Sequence, residues 1–265
     1  MTMRTAPMRS MPPSILGVAV AAALMLPTTS HAKKCPPDSV QVGDVCIDKY
    51  EASVWSTTDT ATINKIQKGK AASAVELPLA TQHGATGDDY GPGCPDDAAG
   101  CTDYYAVSVA GVTPSAYLTQ FQAMAACRNA GKHLATNQEW QAAALGTPDP
   151  GTDNLTTDCN IASRSVASTG SRSGCMSDVG AFDMVGNTTE WVADWVPFST
   201  ICPMWGDFST DYMCLSGAST TETGPGALKR GGYFNTPFGG VFAVQANSAP
   251  HQSAGILGFR CARRL

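Results

Sequence analysis

The sequence predicts a loop-rich α+β domain stapled by disulfides, and three observations carry that reading. Glycine and proline are abundant, 26 and 17 in 265 residues, while long helical periodicities are few. Short apolar runs bounded by Gly-Asp and Gly-Gly signals stand near both ends of the chain, as strands do. Finally, ten cysteines follow a leader-like segment, and an even number in an exported chain reads as disulfides.

Residues 1–32 read as a signal peptide. Arg4 and Arg9 give a basic start, Ile15 to Pro27 is apolar, and Ser30-His31-Ala32 is a small-x-small cleavage site. The apolar run is short for a membrane span, and Cys35 follows Lys33-Lys34 instead of standing at the junction as a lipidated cysteine would. The expectation is a secreted or periplasmic protein without a stable membrane anchor. Residues 33–265 then form a single domain large enough to bury a core. The leader holds two arginines and no acid, so 15 basic side chains face 22 acidic ones in the remainder. That balance argues against nucleic acid as a partner.

Val40, Val42 and Val45 flank Gly43-Asp44, which predicts a hairpin whose second strand runs through Cys46 to Glu51. Residues 56–111, rich in Thr, Ala, Gly and Asp, are read as a surface excursion. Its Asp88, Asp89, Asp96, Asp97 and Asp103 fit a solvated acidic face better than a cation site. Thr113-Pro114 predicts a helix start, with Tyr117, Phe121, Met124 or Ala125, and Arg128 on one core-facing side and Gly131 as the stop. A second helix opens at Thr136, whose capping box with Glu139 accounts for that acid without a catalytic role, and buries Trp140, Ala143 and Ala144. Thr147 to Ser177 is irregular. Val192 to Val196 reads as a strand, and residues 197–226 as a second excursion carrying Trp205, Phe208 and Tyr212. Residues 228–235 read as a strand entering the Gly231-Gly232 bend, and Leu257 to Arg263 as a final strand against the Cys127 helix.

Four cysteine couples would close local loops: Cys35 with Cys46, Cys94 with Cys101, Cys159 with Cys175, and Cys202 with Cys214. Cys127 and Cys261 remain as a long-range couple, although sequence alone leaves other pairings open. In the chain-entropy picture such a large loop contributes roughly 4–5 kcal/mol, against about 3 for a small one. No Cys-x-x-Cys is present, and the spacing is not that of a zinc site.

The densest stretch is Gly180–Trp195. Asp183 and Glu190 supply hard anionic oxygens, and Gly186 lets the backbone between them turn so that carbonyls point inward. These residues fit a calcium cage, or a Gly-Asn turn in which Glu190 satisfies nearby amides while Trp191 and Trp195 enter the core. Asn160-Ile161 offers a side-chain and a main-chain oxygen for a second cation.

Several ordered blocks resemble the formylglycine-generating enzyme, or sulfatase-modifying factor, family. They are Val112-Thr113-Pro114 with Tyr117 and Phe121, Gly131 to Trp140, Asp183 to Trp191, Arg230-Gly231-Gly232, and Gly258 to Arg263, with Cys46 to Ala52 as a weaker first block. The resemblance implies an α+β fold related to C-type lectins, and it includes a bridge like Cys127–Cys261. It also implies calcium held by the side chains of Asp183 and Glu190 and main-chain oxygens of Gly186 and Thr188, with a second calcium at Asn160 and Ile161 for which no later acidic partner is found.

The family's chemistry does not transfer. Its formylglycine-generating members hold copper with two cysteines shortly after the Arg-Gly-Gly block, soft thiolates suiting Cu(I). Here Tyr233 to Phe242 contains no cysteine and no histidine, so copper is not expected. A related branch holds iron with a His-x-x-x-His-x-Glu arrangement, which is also missing. The expected protein is a calcium-stabilised binding or scaffold module for a polypeptide or glycan, its surface gathering Arg230, Tyr233, Phe234 and Trp205. The alternatives are a formylglycine-generating-type oxidoreductase with metal ligands from elsewhere, which needs free thiols, and a lectin-like binder reading sugars through an open calcium position.

Overall fold

The computed structural model describes residues 34–206, 209–218 and 224–265, so the expected signal peptide and Phe208 lie outside the described residues. β1 (Ser39–Val42) and β2 (Val45–Asp48) form the expected hairpin, with Val42 opposite Val45. The second strand stops at Asp48 instead of reaching Glu51. The chain then leaves the hairpin, and β3 (Ser53–Ser56) becomes the centre of another sheet.

Residues 56–111 are not a mere excursion. α1 (Thr60–Gln67) is capped by Asp59, whose carboxylate accepts the Thr62 amide at 2.7 Å. β4 (Thr81–His83) and β5 (Tyr104–Val107) flank β3 in a three-stranded antiparallel sheet. Ile66, Leu77, Tyr90, Ala106 and Val107 from this segment are buried in the larger apolar cluster. Their spacing among Gly, Asp and Ser hides them from a periodicity reading. A buried tyrosine must also satisfy its hydroxyl, and Tyr90 donates to the Ala116 carbonyl at 2.9 Å.

The first expected helix starts later than Thr113-Pro114. α2 (Gln120–Asn129) is capped by Thr119, which forms a capping box with Gln122. Residues 113–118 stay irregular, and Tyr117 turns the chain with φ +56°. Its buried face is Gln120, Gln122, Ala123 and Ala125–Cys127, whereas Met124 and Arg128 are exposed and Phe121 is half-buried. Small alanines let the helix approach closely. The two buried glutamines are admitted because Gln120 donates to the Val192 carbonyl at 2.5 Å and Gln122 to the Cys94 carbonyl at 2.7 Å. After β6 (His133–Leu134), α3 (Asn137–Ala144) follows its sequence reading, with Thr136 and Glu139 in a capping box and Trp140, Ala143 and Ala144 buried.

The C-terminal half is sheet. β7 (Thr189–Pro197) starts three residues before the expected strand, and β8 (Ser199–Ile201), β9 (Met204–Gly206), β10 (Ser209–Cys214) and β11 (Ser216–Ala218) lie in the second excursion. β12 (Pro225–Arg230), β13 (Val244–Gln245), β14 (Leu257–Phe259) and β15 (Cys261–Arg264) complete the set. Among the described residues the sheets run β1-β2-β15-β6, β14-β7-β12-β13-β10-β9, β11-β8 and β4-β3-β5.

The expected final strand is therefore two strands in two sheets. β14 runs parallel to β7 and β15 runs antiparallel to β2, with Arg260 alone between them. Arg260 is fully buried at this crossing. The second apolar cluster, around Ile47, Trp140, Met184, Val192 and Leu228, packs near the same point.

Candidate functional site

The 183–190 loop closes on Arg260. The Arg260 Nε donates to Glu190 Oε2 at 2.7 Å and its Nη2 to Glu190 Oε1 at 2.5 Å, a fork-to-fork pair. The remaining guanidinium donors reach the Asp48 carbonyl at 3.1 Å and the Phe182 carbonyl at 3.0 Å. Glu190 also accepts the Trp140 indole N–H at 2.7 Å. Of the two tryptophans expected in the core, Trp191 is there and Trp195 is half exposed.

Glu51, which the sequence reading did not single out, faces the same loop. It accepts the Thr188 amide at 2.9 Å and the Thr188 hydroxyl at 2.5 Å, and also the Asn187 side-chain amide. Burial first, then the charges of Asp183 and Glu190, push its carboxyl well above the usual range. Burial likewise raises Asp183 to about 6, although the Gly170 amide donates to it at 2.7 Å. No local signal marks Glu51, because its partner Thr188 lies 137 residues away.

Glu51, Asp183 and Glu190, each at most 2% exposed, thus share one guanidinium. Hard oxygens and an excess of negative charge suit calcium. Among the described residues no group of three or more His, Cys, Asp and Glu side chains converges as a metal cage. A cation here would therefore need Asp183, Glu190 and the Gly186 and Thr188 carbonyls together, with Glu190 shared with Arg260.

The second expected pair does not fit a cation. The Asn160 side-chain oxygen accepts from the Ser163 hydroxyl and lies 3.5 Å from the Arg172 guanidinium, while the Ile161 carbonyl accepts the Thr236 amide at 2.9 Å. Arg172 is itself buried and lies 3.4 Å from Asp153. A guanidinium already stands where positive charge is needed.

The expected binding surface is rearranged as well. Arg230 is buried, stacked over Trp140 at 4.6 Å, and bonded to Asn137, Gln141 and the Val241 carbonyl, so it supports the segment after it instead of facing solvent. Tyr233 and Phe234 are half-buried and meet edge to face at 5.4 Å. The Trp205 backbone belongs to β9, and its side chain lies outside the described residues. The open feature nearby is a cleft of about 320 Å³ lined by Asp149, Asp211, Pro237, Val241 and Phe242. Phe238 and Phe242 are exposed beside it.

In this cleft the Asp149 carboxylate accepts the Val241 amide at 3.2 Å and Asp211 the Phe242 amide at 2.8 Å. Both carboxylates crowd the space beside Gly240, where a side chain would collide with them. Burial and the Asp211 charge raise Asp149 to about 6, and burial raises Asp211. Sequence reading missed this pair, since Asp149 lies in an irregular stretch and Asp211 in β10, 62 residues further on, with no local signal linking them.

The structure joins Cys35 to Cys46, Cys94 to Cys101, Cys127 to Cys261, Cys159 to Cys175 and Cys202 to Cys214. These five bridges use all ten cysteines and mark a non-cytoplasmic protein. Among the described residues no helix is long and apolar enough to cross a membrane.

Fold and site together define a disulfide-stapled α+β domain of the kind related to C-type lectins. The chain matches the family described as the sulfatase-modifying factor enzyme 1-like domain over residues 18–265, and it belongs to that family. No curated protein matches it by sequence. Among solved structures, the Major Tropism Determinant U1 variant is 18% identical with TM-score 0.44, over 86% of this chain and 54% of that one. The chain thus spans about half the length of the tropism determinants it matches. CarF is 12% identical with TM-score 0.42, over 86% and 93% of the two chains. PvdO from Pseudomonas aeruginosa is 16% identical with TM-score 0.38, over 88% and 100%.

Proposed function

We propose that this chain is an exported, calcium-stabilised member of the family that works as a binding module for a polypeptide or glycan. The observation that carries the reading is the segment after Gly231-Gly232. Where copper-binding relatives place thiolates, this chain builds an open cleft edged by the exposed rings of Phe238 and Phe242. Exposed aromatics over a concave floor suit recognition. The oxidoreductase alternative needs free thiols, and every cysteine is bridged. The lectin-like alternative needs an open calcium position, and Asp183, Thr188 and Glu190 are closed to solvent.

Binding of glycan and peptide arrays by the wild-type chain, and its loss in a Phe238→Ala/Phe242→Ala variant of unchanged fold, is the expected result. Binding that survives the double change would move the site elsewhere. Detection of two free cysteines by alkylation in denaturant would restore the oxidoreductase reading. For calcium, the excess of buried carboxylates predicts a melting temperature several degrees higher in excess calcium than in chelator, as a site filled about 100-fold over its Kd adds about 2.7 kcal/mol. Equal melting temperatures would remove calcium from the proposal.

A further inference from the structure

Lys229 is a buried amine for which the fold supplies no carboxylate. It is 7% exposed on β12, and the strand register sets it opposite Trp191, whose ring lies 5.9 Å from Nζ. Arg230 and Glu190 pair one residue further on, and strand alternation sends both to the other face. Asp194, also on β7, is engaged by the Asn137 amide at 2.6 Å. On its other side β13 offers the neutral Gln245, and His251 lines a separate cavity. Among the described residues Lys229 makes no ion pair, and its hydrogen bond joins Nζ to the Ser248 hydroxyl at 2.6 Å. Burial lowers the ammonium to about 8, so the neutral amine is accessible close to neutral pH. A neutral amine against a hydroxyl is a base beside a nucleophile.

Lys229 and Ser248 both line a cavity of about 330 Å³, to which Ala254, Ile256 and Leu257 add an apolar wall and Gln252 a carboxamide. The Gln252 side-chain oxygen accepts the Ala249 amide at 3.1 Å, which fixes the carboxamide's orientation and leaves its NH2 as a donor. The Ser248 main-chain amide makes no hydrogen bond among the described residues. A nucleophile, a base within hydrogen-bond distance, two uncommitted N–H donors and an apolar recess are the parts of an acyl-transfer site.

We propose that Ser248 and Lys229 form a nucleophile and base that hydrolyse a carboxylic ester of a short aliphatic acid, whose chain lies on Ala254, Ile256 and Leu257. Neutral Lys229 takes the Ser248 hydroxyl proton as Oγ attacks the ester carbonyl, and the Gln252 NH2 and the Ser248 amide meet the charge on the carbonyl oxygen. The carbon–oxygen bond to the alcohol breaks, and that oxygen leaves with the proton from Nζ. Water then attacks the acyl-serine and gives its proton to Lys229, which returns it to Oγ as the acid departs. One ester and one water become one acid and one alcohol. The site shares no lining residue with the Gly240 cleft and stands whatever that cleft binds.

The test treats the whole exported chain with a fluorophosphonate and maps the adduct by mass spectrometry. Hydrolysis of p-nitrophenyl butyrate is followed in parallel from about pH 6 to about pH 10, with the buffer rate subtracted. The expected result is one phosphonyl group on Ser248 and a rate that rises to a plateau, half-maximal near pH 8, as the amine loses its proton. Ser248→Ala should abolish both the adduct and the hydrolysis. Lys229→Met, which fills a similar space without a charge, should lower the rate at least about 100-fold and remove the pH step. Ser248 is only half-buried, so its variant keeps the test intact whatever Lys229→Met does to stability. No adduct at Ser248, a rate unmoved by either substitution, or hydrolysis without a pH step near 8 would each overturn the proposal.

Discussion

The 183–190 loop and the Gly240 cleft are both built from aspartate and glycine, but one is sealed and the other open. Asp183 and Asp149 both titrate near pH 6, and burial leads in each case. Around Asp183 the excess charge is answered by a guanidinium, an indole and backbone amides from distant parts of the chain. Around Asp149 it is answered by one amide, and the second contribution is the like charge of Asp211. A similar raised pKa thus accompanies a fold-holding lock in one place and an open pocket in the other. The surroundings, not the shift, separate the two.

The largest effect should come from breaking the lock. Arg260→Met leaves three buried carboxylates without their cation and should cost about 3–5 kcal/mol in urea denaturation. Adding Glu190→Leu should recover part of that loss, since an apolar pair replaces a buried charge. A loss below about 1 kcal/mol for Arg260→Met would mean that the loop is not held by its ion pair.

Removing the bridge that sets α2 against β15 tests the same sealed region from the covalent side. Its sequence separation is 134 residues, whereas the Cys202–Cys214 bridge beside the open region spans 12. Replacing Cys127 and Cys261 by alanine should cost about 5 kcal/mol, and replacing the shorter pair about 2 kcal/mol less. A reversed order in denaturation midpoints would show that strain or residual unfolded structure outweighs loop entropy.

The two glycines sharpen the contrast further. Gly186 has φ +76°, and a side chain there would collide with the Asn160 main-chain carbonyl, so Gly186→Ala should lose about 2 kcal/mol or more. At Gly240 the atoms in the way are the ends of two aspartate side chains, which can rotate. Gly240→Ala should therefore cost less than about 1 kcal/mol while displacing the carboxylates from the cleft. Thermal denaturation of the two variants side by side distinguishes a backbone collision from a side-chain one.

The smallest effect concerns pH. Folded Asp149 keeps its proton up to about pH 6, against 3.8 for an ordinary aspartate, so between these values the folded state binds more protons than the unfolded one. Stability therefore falls as pH rises across that window. Asp149→Asn should make the fall shallower in melting temperatures measured between pH 4 and 7, with Asp183 and Glu51 supplying what remains. An unchanged slope would mean that the pair is more solvated than its packing implies.

Features set by neighbouring residues were legible from the chain. Thr136 with Glu139 and Val42-Gly43-Asp44-Val45 lie within a few residues of one another, and capping and turn energies act at that range. Local signals failed where two of them competed. Thr113-Pro114 and Thr119 with Gln122 are both helix starts, and the turn at Tyr117 with the packing of Gln120 and Cys127 decided for the second. With the helix that starts there, Met124 and Arg128 stand on the exposed side of α2 and not in the expected core.

The sequence by itself determined the disulfide-rich α+β class, the acidic loop at 183–190, and a post-Arg-Gly-Gly segment without thiols, because each is a matter of residue type and short spacing. Only the tertiary structure decided that Glu190 answers to Arg260, that Glu51 closes the loop, and that Asp149 meets Asp211 beside Gly240. Those contacts span tens to more than a hundred residues. The first two follow from how the sheets cross at Arg260, which no local preference encodes.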